Sequence, residues 1–156
     1  MENKKEEIRL DEKVMIKSIA PWTTGSQRKT TTGDISIPPS GSILISREEV
    51  IAQSQNGNKL INGIDGLGSH ATWYIEDEYC RKELSFEVGA KKQDCLTVDK
   101  IKDAFELKTM KSFKDRIEKN VVTRAEKAYL MSSIKTLGLN EYDKIAFCIE
   151  HTKIQP

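Results

Sequence analysis

The sequence predicts an α+β protein: a small antiparallel β-barrel or sandwich carrying one short helix, followed by a four-helix subdomain. Three observations predict it. Up to residue 96 the apolar residues fall in short alternating runs bounded by Gly, Pro, Asn and Asp. From Thr97 onward their spacing changes to three and four. That change of period divides the chain into residues 1–96 and 97–156, with no repeat or low-complexity linker between them. With 156 residues, 37% of them hydrophobic, it buries about 69% of its unfolded surface, enough for one ordinary core or two small ones.

Lys13 to Ile19 alternates as a half-buried strand, and Pro21 stops it because proline cannot donate to a ladder. The polar run Trp22 to Gly33 predicts a loop or irregular hairpin, Asp34 to Ile37 a strand closed by Pro38-Pro39, and Ser42 to Ile45 a short apolar strand. Ser46-Arg47-Glu48-Glu49 has the form of a capping box and opens a helix to about Gln55, ended by Asn56-Gly57. Lys59 to Asn62 and His70 to Glu76 are expected as strands joined by a turn at Asp65-Gly66. In the second, Ala71, Trp73 and Ile75 share the core face, which leaves His70 on the solvent face. Glu76 to Glu78 is expected as a turn and Arg81 to Phe86 as a closing strand.

In the last 60 residues, Val98, Ile101 and Phe105 space one helix, and Met110, Phe113 and Ile117 the next. Thr123-Arg124-Ala125-Glu126 is a second capping box, opening a helix that Gly138 ends. Asn140 is expected to cap a last helix with Tyr142, Ile145, Ala146 and Ile149 inward, and His151 to Pro156 to fray.

The charge balance is even: 25 Lys and Arg against 24 Asp and Glu, a net charge of +1. The whole chain therefore has no field of one sign to draw it onto nucleic acid or anionic lipid. No run approaches the roughly 18 apolar residues of a membrane span, so no membrane is expected. Three cysteines, Cys80, Cys95 and Cys148, suit neither a disulfide framework nor a metal half-site. A reducing compartment is expected, with Cys148 in the core.

Candidate chemistry is sparse. His70 follows a glycine-rich turn, and with Cys80 across a hairpin it would make a nucleophilic pair, the basis of one alternative reading as an enzyme. Gly63, Gly66 and Gly68 lack the following helix that a phosphate cradle requires, and Asn56 to Asp65 does not fit a calcium loop. No metal or cofactor is expected. Residues 97–156 carry 12 basic and 9 acidic side chains, residues 1–96 carry 13 and 15. Lys108, Lys111, Lys114 and Lys119 crowd one helical region, so a second alternative is a DNA-binding or regulatory protein of a mobile element. Asp115 and Glu118 interleave with these lysines. A separate cluster, Arg28, Lys29 and Thr31 in the long loop with Trp22 at its base, is the candidate partner-binding surface.

The stretch Leu137-Gly138-Leu139-Asn140-Glu141-Tyr142-Asp143-Lys144-Ile145 resembles the closing helix of small proteins from bacteriophages and prophages. Gly33-Asp34-Ile35-Ser36-Ile37-Pro38 and Gly66-Leu67-Gly68-Ser69-His70-Ala71 carry the same resemblance. It implies a head-region or accessory component of the virion, located there or in the cytoplasm of a bacterial host, and transfers no catalytic residue. The expectation is a non-enzymatic structural protein acting by protein–protein interaction, as a homo-oligomer or within a larger assembly.

Overall fold

The computed structural model describes residues 8–93 and 95–155. It is an α+β protein with two small antiparallel sheets. Strands β1 (Lys13–Ser18), β4 (Ser42–Ser46) and β5 (Trp73–Ile75) form a sheet in the order β4-β1-β5, and β2 (Thr24–Gln27) pairs with β3 (Asp34–Ile37) as a hairpin. Of the barrel or sandwich expected, no closed barrel is present among the described residues. The hairpin touches β4 without pairing with it, so the two sheets stay separate.

Alternation in β1 is strict, with Val14, Ile16 and Ser18 inward and Lys13, Met15 and Lys17 outward. Cross-strand pairing sets Val14 beside Ile45 and Ile16 beside Ile43 and Ile75. That inner face meets Ile35 and Ile37 of the hairpin, and with Trp73 and Phe86 these residues form one hydrophobic cluster. The tryptophan ring is fully buried and its indole N–H donates to Thr24 Oγ1 at 2.7 Å. A buried indole N–H without a partner would cost free energy, so Thr24 fixes the ring's orientation as well as filling space.

Helix α1 (Arg47–Gln55) is capped by Ser46, whose hydroxyl accepts from Glu49 N–H. The other half of the expected box is missing, because the Glu49 carboxylate turns away to the β2–β3 loop. Two expected strands are helices. Lys59–Asn62 forms the single turn α2, since the Asn58 side chain accepts from Leu60 N–H and its carbonyl from Asn62 N–H. Glu78–Glu83 forms α3, in place of the turn and strand, because Asp77 caps it by accepting from Cys80 N–H. In both, a cap immediately before the segment outweighs a weak alternation of apolar residues. Gly63 lies between: its φ of 72° and the Ser69 carbonyl, 1.9 Å from where a Cβ would stand, admit no side chain.

The helical half contains α4 (Val98–Phe105), α5 (Met110–Asn120), α6 (Arg124–Leu137) and α7 (Tyr142–Thr152). α7 packs on α5 and α6, and α4 on α5 and α6. Phe113, Ile117, Leu130 and Cys148 sit in a second hydrophobic cluster, which also takes Ile19, Ala20 and half-buried Trp22 from the β1–β2 connection. Phe105 and Phe113 meet edge to face with centroids 5.0 Å apart.

The last helix corrects three expectations. Asn140 does not cap it: Glu141 holds the N-cap position with no side-chain bond. Tyr142 is 82% exposed and Ala146 is also outside, because Ile145, Cys148 and Ile149 define the packed face. His151 is not frayed, since its Nε2 lies 2.7 Å from the Val121 carbonyl and its ring stacks on Phe147.

Candidate interaction surface

The long loop is held from beneath by a buried carboxylate. Glu49 on α1 is 1% exposed and accepts from Lys29 N–H, Thr30 N–H, the Thr30 hydroxyl and the Gln53 amide. Burial by itself pushes the Glu49 carboxyl up, but these donors together hold it below the usual carboxylate range. The loop backbone is thus anchored while the Lys29 and Thr31 side chains stay exposed and Arg28 is half-buried. Trp22 is half-buried. It packs on the helical cluster, with the Arg124 guanidinium 5.3 Å from its ring centroid.

Lys108, Lys111, Lys114 and Lys119 are all exposed. On α5 the spacing places Asp115 one turn from both Lys111 and Lys119, and Glu118 one turn from Lys114. Lys114 also lies over the Phe147 ring at 5.5 Å. The face is one of mixed sign rather than a basic stripe.

His70 makes a second contact between the two halves, besides that of Ile19, Ala20 and Trp22. Its φ of 56° turns the side chain off the strand direction, so it does not occupy the solvent face expected for it. Its Nδ1 lies 2.9 Å from Glu126 Oε2 and 3.0 Å from Oε1. Glu126 also accepts from Val122 N–H and Thr123 N–H, completing the capping box of α6. His70 lines a cleft of about 490 Å³ with Asn58, Lys59, Thr72 and Thr123. No hydrogen bond joins it to Cys80. That thiol is fully buried, and burial, with Asp77 beside it, pushes it up to about 12. A thiol raised so far is protonated at neutral pH.

The two edges of the three-stranded sheet are treated differently. On β5 the outward groups are occupied by side chains: Gln93 accepts from Ile75 N–H at 2.9 Å and donates to the Trp73 carbonyl at 3.0 Å, while Arg81 donates to the Ile75 carbonyl at 2.8 Å. Gln93 is 6% exposed and acts as a substitute strand. On β4 no side chain among the described residues bonds the outward backbone groups. The bonds from Ser18 N–H to the Gly41 carbonyl and from Glu76 N–H to the Met15 carbonyl set the alternation. Even-numbered residues of β1 bond toward β4, odd-numbered ones toward β5. Ile43 and Ile45 therefore point their backbone groups at β1, and Leu44 points its own away from the sheet. Neither Leu44 N–H nor its carbonyl bonds any described residue. Leu44, 53% exposed, lies opposite Met15, 37% exposed, on the outer face.

Sequence reasoning missed Gln93 and the open β4 edge, and it placed Glu49 and Glu126 only as cap residues. The signal available for β4 was its lack of charge, since unpaired edges are ordinarily guarded by charged residues or proline. No family model matches this sequence, and no curated protein or solved structure is detectably similar to it. Among the described residues, no helix is long and apolar enough to cross a membrane.

Proposed function

We propose that this chain is a non-enzymatic structural or interaction protein that assembles, with itself or with a larger particle, by accepting a strand at β4. The observation that carries the reading is the contrast between the edges: β5 is closed by Gln93 and Arg81, while the outward amide and carbonyl of Leu44 meet no partner among the described residues. An uncovered edge is a template for another strand, with main-chain bonds supplying affinity and alternate side chains supplying selectivity. The resemblance of residues 137–145 to small phage proteins supports a head-region or accessory virion component as the particular assembly.

The test is gradient sedimentation of the tagged full-length chain in extract of its source cells, beside a Leu44→Pro variant. Proline removes the outward N–H and leaves the bonds to β1 in place. The reading expects the wild-type chain in fractions heavier than 17.7 kDa and the variant at the mass of the free chain. Wild-type protein sedimenting as a free chain would overturn it.

A further inference from the structure

We propose that the occupant of the β4 edge is β4 of a second copy of this chain, paired antiparallel across a two-fold axis at Leu44. The inference rests on the assembly reading above and names its partner. It would join two three-stranded sheets into one of six strands.

The strand's own sequence favours this partner. Ser42-Ile43-Leu44-Ile45-Ser46 reads the same in both directions and contains neither a charge nor a proline. A two-fold axis through Leu44 sets Ser42 against the second copy's Ser46, Ile43 against its Ile45, and Leu44 against its equivalent. Because the Leu44 backbone groups point outward, that central pair exchanges both main-chain bonds, the closely bonded arrangement of an antiparallel ladder. Closed two-fold pairing uses the same patch on both copies and stops at two.

The side chains agree with the backbone. Met15 and Leu44 are neighbours across β1 and β4 on the outer face, and both are exposed. The two-fold axis extends this pair into a row of four apolar side chains, Met15 and Leu44 from each copy, so each Leu44 is shielded by the other. The flanking charges do not oppose it. Lys13 lies beside Ser46 and Lys17 beside Ser42, so the Lys13 of one copy and the Lys17 of the other stand three strand spacings apart, about 14 Å. That exceeds the screening length of about 8 Å at physiological salt.

The experiment is sedimentation equilibrium on the purified full-length chain across a wide range of concentration, with amide exchange followed by NMR. The wild-type chain should reach twice 17.7 kDa, and the Leu44 amide should gain protection as concentration rises while Ile43 and Ile45 do not change. Leu44→Lys and Leu44→Pro should stay monomeric with an unaltered circular dichroism spectrum. If either variant fails to fold, the exchange of the wild-type Leu44 amide decides alone. A monomer at every concentration with a freely exchanging Leu44 amide overturns the second-copy partner, and the extract experiment then judges the wider reading. A dimer whose Leu44 amide stays unprotected overturns pairing at β4 and leaves self-assembly standing through another surface.

Discussion

His70 and Glu126, 56 residues apart in sequence, meet with Nδ1 2.9 Å from the carboxylate, so that the buried cap of the third C-terminal helix also holds the β half in place. The side chain of Glu126 is 2% exposed. It serves His70, Val122 N–H and Thr123 N–H together. Removing it therefore affects both halves.

Glu126→Ala should destabilise by about 3 kcal/mol, since three donors lose an acceptor at about 1 kcal/mol each. Thr123→Ala, which removes only the hydroxyl cap, should cost about 0.5 to 2 kcal/mol. Urea unfolding measures both. A Glu126→Ala loss no larger than that of Thr123→Ala would show that the contact with His70 contributes nothing. Hydrogen exchange should accelerate around residues 70–72 in the Glu126 variant only.

Trp73→Ala should cost about 3 to 5 kcal/mol, the range for a large aromatic in a packed core. Its ring is fully buried in the cluster of the β half. Trp73→Phe keeps much of the packing but leaves the Thr24 hydroxyl without its donor, and should fall between wild type and alanine. Denaturation followed by circular dichroism gives the order.

Glu49 makes the loop anchor sensitive to acid. Its folded-state value is lowered from 4.5 by the loop's donors, against the opposing effect of burial. A depressed carboxylate contributes stability that is present above the unfolded value of 4.5 and is lost as pH falls through the lower folded value. Amide protection of Lys29 and Thr30 should therefore hold at pH 6 and fall below about 4.5. In Glu49→Gln it should be weaker and show no such step.

Gln93→Ala should expose the outward groups of β5. Ile75 N–H and the Trp73 and Ile61 carbonyls lose their partner, at about 1 kcal/mol each. The variant should be destabilised by about 2 to 3 kcal/mol and should aggregate at concentrations where the wild-type chain does not, since the Ile75 amide and Trp73 carbonyl on the β5 edge are then open while Arg81 still covers the Ile75 carbonyl. Light scattering checks the second outcome.

The sequence by itself determined what is decided within a turn or two of chain. The period in Met110, Phe113 and Ile117 places α5, Thr123 and Glu126 close the capping box of α6, Gly138 ends that helix at a φ of 64°, and the alternation around Trp73 puts its ring in the core. These follow from backbone geometry and from bonds between near neighbours, which short windows contain. Segments 59–62 and 78–83 lay at the margin of that rule. A single Asn58 or Asp77 side chain bond shifted each from strand to helix. Tertiary structure alone decided where Glu49, His70, Gln93 and Glu126 point. Each finds its partner between 18 and 56 residues away, and a buried carboxylate or amide takes whichever donors packing brings to it, because leaving it unpaired costs more than any local preference. The open edge of β4 belongs to the same class: its register against β1 exists only in the folded sheet, and that register, not the composition of Ser42–Ser46, turns the Leu44 amide outward.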